Sequence, residues 1–321
     1  MKGRHALLSV VRWFDSEIAP EELSAEQADR MDVVRVLPFL AIHLACLAVF
    51  WVGRSPVAVW TAVGLYAVRC FGLTAGYHRY FSHKAYRLNR FWQFMLAVLG
   101  NAAVQRGPLW WAAHHRHHHA HADKPSDVHS PSQRGFWWSH MLWLTTPGSF
   151  PTRRDRVRDW MKFPELRLLN RFNQVVPLML LAGLYVAGEL LRRYAPSLGT
   201  SGWQMVVWGF VISTVVLYHT TFTINSLDHM IGRRRFETPD TSRNNWLLAL
   251  LTFGEGLHNN HHRYAISARQ GFYWWEVDLT YYVLRALSWV GIVKDLRPVP
   301  QSVLGEGRRP LHRGPADPTA G

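Results

Sequence analysis

From Val36 to Gly53 the chain carries no charged residue. After the turn Arg54-Ser55-Pro56, the run Val57–Thr74 is apolar apart from Arg69. A helix of about 20 apolar residues crosses a bilayer, so this pattern predicts two antiparallel spans, at about 36–53 and 57–74, joined by a tight hairpin. Phe172–Gly188 is again uncharged, and Tyr194–Leu227 contains no Lys, Arg, Asp or Glu. These predict a second hairpin, with spans at about 172–191 and 203–224. Between the hairpins, residues 75–171 are polar and basic except for Phe91–Val104, which is short for a span and is expected to lie as a helix against the membrane face. The first 35 residues are polar and mixed in charge, and they lack the basic start, short apolar core and cleavage site of a signal peptide. After Pro298 the chain is rich in Pro, Gly and Arg, which predicts a disordered tail over 298–321. The expected organisation is an N-terminal segment over 1–35, an all-α membrane domain over 36–297 and that tail.

Composition sharpens this picture. Hydrophobic residues make up 48% of the 321 positions and include sixteen Trp. The mean hydropathy is nevertheless −0.09, because 36 Lys and Arg stand beside the apolar blocks. A multi-pass membrane protein with a large polar face fits both facts. The net charge of +14 suits anionic lipid or a phosphorylated substrate, and the apolar runs argue against nucleic acid. Positive charge also orients the chain. The hairpin tips hold only Arg54 in one and Arg192 and Arg193 in the other, so the N-terminus, the 75–171 block and the C-terminal block are expected on the cytoplasmic side. The two cysteines, Cys46 and Cys70, lie in apolar stretches at no motif spacing, so neither a disulfide framework nor a zinc-thiolate site is implied.

Candidate chemistry lies in the histidines, six of which fall within the run His114–His121. Four groups stand out: His78 and His83; His115, His118 and His119; Asn225 and His229; and His258, His261 and His262. Residues three and four apart share a helix face, so each HxxHH triplet can aim three imidazoles at one point. His78 and His83, five apart, do not share a face and need a helix end or frayed turn to bring them together. Nine histidines on four elements are too many for one ion and about right for two. Nitrogen ligation suits iron, copper, zinc or nickel. The repeated Glu-x-x-His of carboxylate-bridged di-iron bundles does not occur.

At these residues the chain resembles the membrane fatty acid desaturases, especially the acyl-CoA Δ9, or stearoyl-CoA desaturase-like, type. Their eight-histidine signature, HxxxxH, HxxHH and HxxHH, is matched by His78/His83, His115/His118/His119 and His258/His261/His262. Their NSxxH pattern is matched by Asn225-Ser226-Leu227-Asp228-His229, and Gly254–His262 is similar to their third box with its lead-in. The similarity runs from about residue 37 to 297. It implies four transmembrane helices carrying a cytoplasmic helical cap with a di-iron site. Two iron ions would be held by the nine histidines, with Asn225 contacting one of them through water, and no catalytic side chain is implied beyond that metal centre. The implied reaction is O2-dependent insertion of a cis double bond, at Δ9, into a saturated acyl chain carried on coenzyme A, acyl carrier protein or phospholipid. No fused haem domain with a His-Pro-Gly-Gly motif follows Arg297. The resemblance is therefore to bacterial members, set in the cell membrane with both termini cytoplasmic. It implies a separate donor of ferredoxin, rubredoxin or cytochrome b5 type, with its reductase.

Two rivals stand beside this reading. A histidine-box hydroxylase of a lipid or alkane uses related ligands. A membrane metal transporter would need polar groups at mid-membrane, whereas these clusters lie outside the predicted spans. Glu255, Asp127 and Asp228 are candidates to brace the imidazoles from behind. His43 and His219, within spans, are expected to form internal hydrogen bonds. His114, His117 and His121 are expected to be solvated or to neighbour the ligands, and His129 to be structural. The pairs Trp110-Trp111, Trp137-Trp138 and Trp274-Trp275 are expected first as interface anchors, with the lining of an acyl tunnel as the alternative.

Overall fold

The computed structural model describes residues 2–18 and 24–309. His312, the end of the predicted tail and part of the N-terminal segment lie outside them. The described residues form helices and turns, with isolated bridges such as Arg87–Lys294 and no strand. Four helices are long and apolar enough to cross a membrane: Glu26–Val52, Pro56–Ser82, Val175–Tyr194 and Gly202–His229. The fourth span is central and touches the other three. Helices outside the spans are labelled α1 (Lys2–Phe14), α2 (Arg90–Asn101), α3 (Pro108–His121), α4 (Pro131–His140), α5 (Pro164–Arg171), α6 (Trp246–Leu251), α7 (His258–Arg263), α8 (Leu279–Trp289) and α9 (Gln301–Glu306).

Arg69, the one charge within Val57–Thr74, is fully buried. It donates to Thr214 Oγ1 at 2.6 Å, to Ser213 Oγ and to the Leu65 carbonyl at 3.1 Å, and so ties the second span to the fourth through neutral oxygens. An intramembrane charge facing the bundle interior in this way avoids lipid.

The second span does not stop at residue 74. Its α-helix, Pro56–Phe71, continues as a π-helix over Gly72–Ser82, every residue of which is buried. That segment packs against α2 and α3. Two glycines permit the approach: a Cβ on Gly72 would stand 2.7 Å from the Leu99 carbonyl carbon, and one on Gly100 2.4 Å from the Tyr77 ring. The fourth span likewise runs past residue 224, ending in a 3-10 turn at Leu227–His229. Both extensions carry histidines, His78 and His229, beyond the apolar runs.

The disordered tail predicted from 298 needs correction over its first part. In α9, Val303 is buried against Phe236, Phe272 and Tyr273, and Arg263 pairs with Glu306. The polar and Pro/Gly-rich composition masks the three apolar residues Val299, Val303 and Leu304 that anchor this stretch.

Candidate metal centre

The nine histidines fall into two groups. His78, His83, His115, His119 and His261 place one ring nitrogen each within 4.8 Å of one another, and His118, His229, His258 and His262 do the same beside them. Local structure explains each placement. The π-helix supplies the turn that the five-residue spacing needs: the His83 N–H reaches the His78 carbonyl at 3.3 Å, bringing the two rings to 4.9 Å between centroids. In α3, residues 115 and 119 serve one group and residue 118 the other, because one step round the helix turns the side chain about 100°. Arg116, between them, donates to the Phe81 and Ser82 carbonyls and to Asp159, fastening α3 to the end of the π segment. In α7, Asn259 accepts from the Arg235 and Phe236 N–H groups at 2.7 Å, while Asn260 exchanges hydrogen bonds with Asn244 and donates to Glu276. The asparagines of the third box therefore lock the helix that presents its histidines.

Carboxylates brace the outer nitrogens. His118 Nδ1 lies 3.0 Å from Asp127, His262 Nδ1 2.9 Å from Asp240 and His229 Nδ1 3.4 Å from Asp123, while His78 Nδ1 pairs with Glu255. Glu255 also accepts from Arg79 and Gln270, and Arg79 is fixed in turn by Asp278. Asp127 and Glu255 are thus where the sequence placed them, and Asp123 and Asp240 are additions. Asp228 is different: it is buried, and neither carboxylate oxygen meets a hydrogen-bond donor among the described residues.

An outer carboxylate holds the Nδ1 proton, so the Nε2 lone pair points inward. Inside the groups, Nε2 atoms approach to 2.9 Å for His78/His261 and His119/His261, 2.8 Å for His83/His115 and 3.1 Å for His229/His258. His118 and His262 bury Nε2 without a hydrogen-bond partner among the described residues. Burial, reinforced by the neighbouring rings, pushes the pKa of His83, His115, His119, His258 and His261 well below the ordinary value. Burial likewise takes His262 down to about 4, even with Asp240 opposing it. Imidazole nitrogens whose lone pairs face one another at such distances repel unless a cation lies between them. The donor set fits two metal ions, five imidazoles for one and four for the other.

Asn225 ends the helical part of the fourth span beside the smaller group, with its backbone carbonyl accepting from Ser139 Oγ at 2.6 Å. It also lines a cavity of about 390 Å³ whose inner wall includes His78, His115, His118 and His258. Trp110 and Trp111 line the same cavity. Trp110 is buried and donates to the Ser149 carbonyl, so of its two expected roles it takes the cavity wall and not the interface, and Trp111 stacks on His115. Among the described residues, the remaining histidines stay outside the five- and four-membered groups. His43, His219 and His140 form a hydrogen-bonded row that ends on Ser226. His114 and His117 are buried on carbonyl oxygens instead of being solvated. His129 is buried and packs on His118.

A four-span helical membrane protein with two buried imidazole clusters at the end of an apolar cavity is built for metal chemistry on an aliphatic substrate. The chain belongs to the fatty acid desaturase family, whose profile matches residues 54–289. It is 38% identical over 272 residues to a chloroplastic palmitoyl-monogalactosyldiacylglycerol delta-7 desaturase of Arabidopsis thaliana, covering 83% of this chain and 69% of that one. It is 35% identical over 277 residues to an acyl-CoA 5-desaturase of Anemone leveillei (85% and 81%) and 33% identical over 289 residues to an sn-2 palmitoyl-lipid 9-desaturase of Nostoc sp. (87% and 94%). It is an oxidoreductase acting on fatty acyl chains, and the transporter reading falls away.

Proposed function

We propose that the enzyme is a di-iron desaturase. In this reading His78, His83, His115, His119 and His261 hold one iron, and His118, His229, His258 and His262 hold the other, with Asn225 completing the second through a water molecule. What carries the reading is the five-and-four grouping of nine imidazoles, four of which (His78, His115, His118 and His258) line a mainly apolar cavity. Iron bound there supplies the redox and O2 chemistry that removes hydrogens from unactivated methylenes, which offer no acidic proton to a general base.

The chain's own residues position and exclude. Asp127, Asp240, Asp123 and Glu255 hold four imidazoles in the tautomer that faces inward. Phe39, Val104, Trp111 and Phe222 keep the cavity apolar around the chain to be desaturated. We place the double bond at Δ9, in keeping with the name of the Nostoc relative. The termini and the cap lie on the cytoplasmic side of a bacterial cell membrane, where the basic cap meets a separate donor of ferredoxin, rubredoxin or cytochrome b5 type and its reductase.

Expression in a host lacking its own desaturase, with fatty acid methyl esters separated by gas chromatography and their double bonds located, tests this directly. A new Δ9 monounsaturated acid is expected from the native chain and none from His118→Ala, together with about two irons per native chain. A hydroxylated product, or full iron loading with no product in the presence of a competent donor, would overturn it.

A further inference from the structure

A second hollow, of about 510 Å³, shares no lining residue with the histidine-walled cavity. Its rim carries Lys84, Arg87, Lys162 and Arg297, all exposed. Two carboxylates stand among them. Asp159 is shared by Lys84 at 2.7 Å and Arg116 at 2.8 Å, and Asp295 pairs with Arg87. Lys162 lies over the Phe163 ring, 5.2 Å from its centre, and neither it nor Arg297 meets a carboxylate among the described residues. Five cations against two carboxylates leave a positive field on this face, which attracts an acidic partner.

The inner wall of this hollow leads to the histidines. Trp160, itself buried, lines it beneath the Lys84 ammonium, which lies 5.4 Å from the centre of the indole. Its Nε1–H donates to the Phe81 carbonyl at 2.7 Å, and the two rings meet edge-on at 5.2 Å between centroids. Phe81 stands two residues before His83. Arg116, which directly follows His115, donates to the same carbonyl at 2.7 Å. One hydrogen bond and a short stretch of backbone therefore join the hollow to two imidazoles of the five-histidine group. A site for a lipid headgroup has no use for such a connection. An electron does, because it tunnels faster through bonds and hydrogen bonds than across gaps between atoms.

We propose that the electron donor docks over this hollow, that it is a small protein presenting an acidic face to Lys84, Arg87, Lys162 and Arg297, and that Trp160 carries the electron from it toward His83 and His115. This placement rests on the di-iron desaturase reading. The donor is oxidised by one electron at each visit. Two visits supply the two electrons that, with two protons from water, reduce O2 to two waters while the acyl chain gives up two hydrogens.

The test uses the iron-loaded full chain in phosphatidylcholine nanodiscs and three acidic probes: a plant-type ferredoxin, a rubredoxin and a cytochrome b5. At least one is expected to bind at low salt and to weaken steeply as salt rises. Lys84→Glu/Arg87→Glu/Lys162→Glu/Arg297→Glu is expected to weaken that binding by about tenfold or more, with unchanged iron content. Should that variant fail to fold, Lys84→Gln/Lys162→Gln is expected to weaken it by about threefold. Native affinity in the folded variant overturns the docking surface and leaves the desaturase standing. So does binding of none of the three probes, with phosphatidylglycerol vesicles held by these cations instead. Trp160→Phe keeps a ring in place but removes the hydrogen bond to Phe81. It is expected to bind the probe as the native protein does, and to oxidise prereduced probe several-fold more slowly in anaerobic stopped flow. A native rate overturns the part assigned to Trp160. A native chain that takes up no iron overturns the desaturase reading and this proposal with it.

Discussion

Carboxylates are shared unevenly between the two histidine groups. In the smaller group three of four imidazoles have one behind them, whereas in the larger group only His78 does. A carboxylate behind an imidazole raises its basicity and fixes its ring, and losing one typically costs 10- to 100-fold in metal affinity. Asp127→Asn is therefore expected to weaken the four-histidine site by that order. Mild chelation should then leave about one iron per chain in the variant and two in the native protein, as counted by plasma emission spectroscopy. The buried imidazoles also set a pH dependence. Unfolded, they titrate near 6.5; folded, five of them titrate well below it. As pH falls through 6.5 the unfolded chain takes up protons that the folded one refuses, so stability is lost, by up to about 1.4 kcal/mol per group per pH unit. His118 runs the other way: burial lowers it, but Asp127, Asp123 and Asp240 together raise it more. The iron-free protein in detergent should melt at a lower temperature at pH 5.5 than at pH 7.5. Equal midpoints would contradict the burial of these rings. The histidines of the two groups were legible because spacing within a helix fixes a face. Asp123 and Asp240 were not, because they reach their partners from loops, where spacing fixes nothing.

At the scale of elements, the π segment decides whether the five-histidine group forms. Hydropathy located the second span but could not show its continuation, since Gly72–Ser82 mixes apolar, aromatic and basic residues that are all buried. Nor does helical periodicity reveal an i→i+5 bond, which is the contact that joins His83 to His78. The segment depends on close contact with α2. Gly72→Ala would press a methyl group against the backbone of Leu99, a fixed obstacle, at a cost of about 1–3 kcal/mol. The variant should melt earlier and lose iron from the larger group first. Iron content and a melting temperature equal to the native protein's would show that this contact is not needed. The extension of the fourth span was easier to read, because Asn225 and His229 are four apart and follow an apolar run without a break.

For the whole molecule, four spans were readable because a bilayer imposes a length on any helix that crosses it. The C-terminal helix α9 was hidden because three apolar residues in a polar stretch barely alter its composition. Val303→Asp would bury a carboxylate among Phe236, Phe272 and Tyr273, and unpaired burial of charge is expensive. The protein should then melt several degrees lower, although neither histidine group is touched, and native melting would show α9 to be dispensable. The two histidine groups have a consequence for how the protein is made. Each needs residues from α7, His261 for one and His258 and His262 for the other. In the proposed di-iron reading, a ribosome must therefore synthesise past residue 262 before either ion has its full set of partners. Metal loading would then be a late event, and a cell short of metal would accumulate finished chains awaiting it.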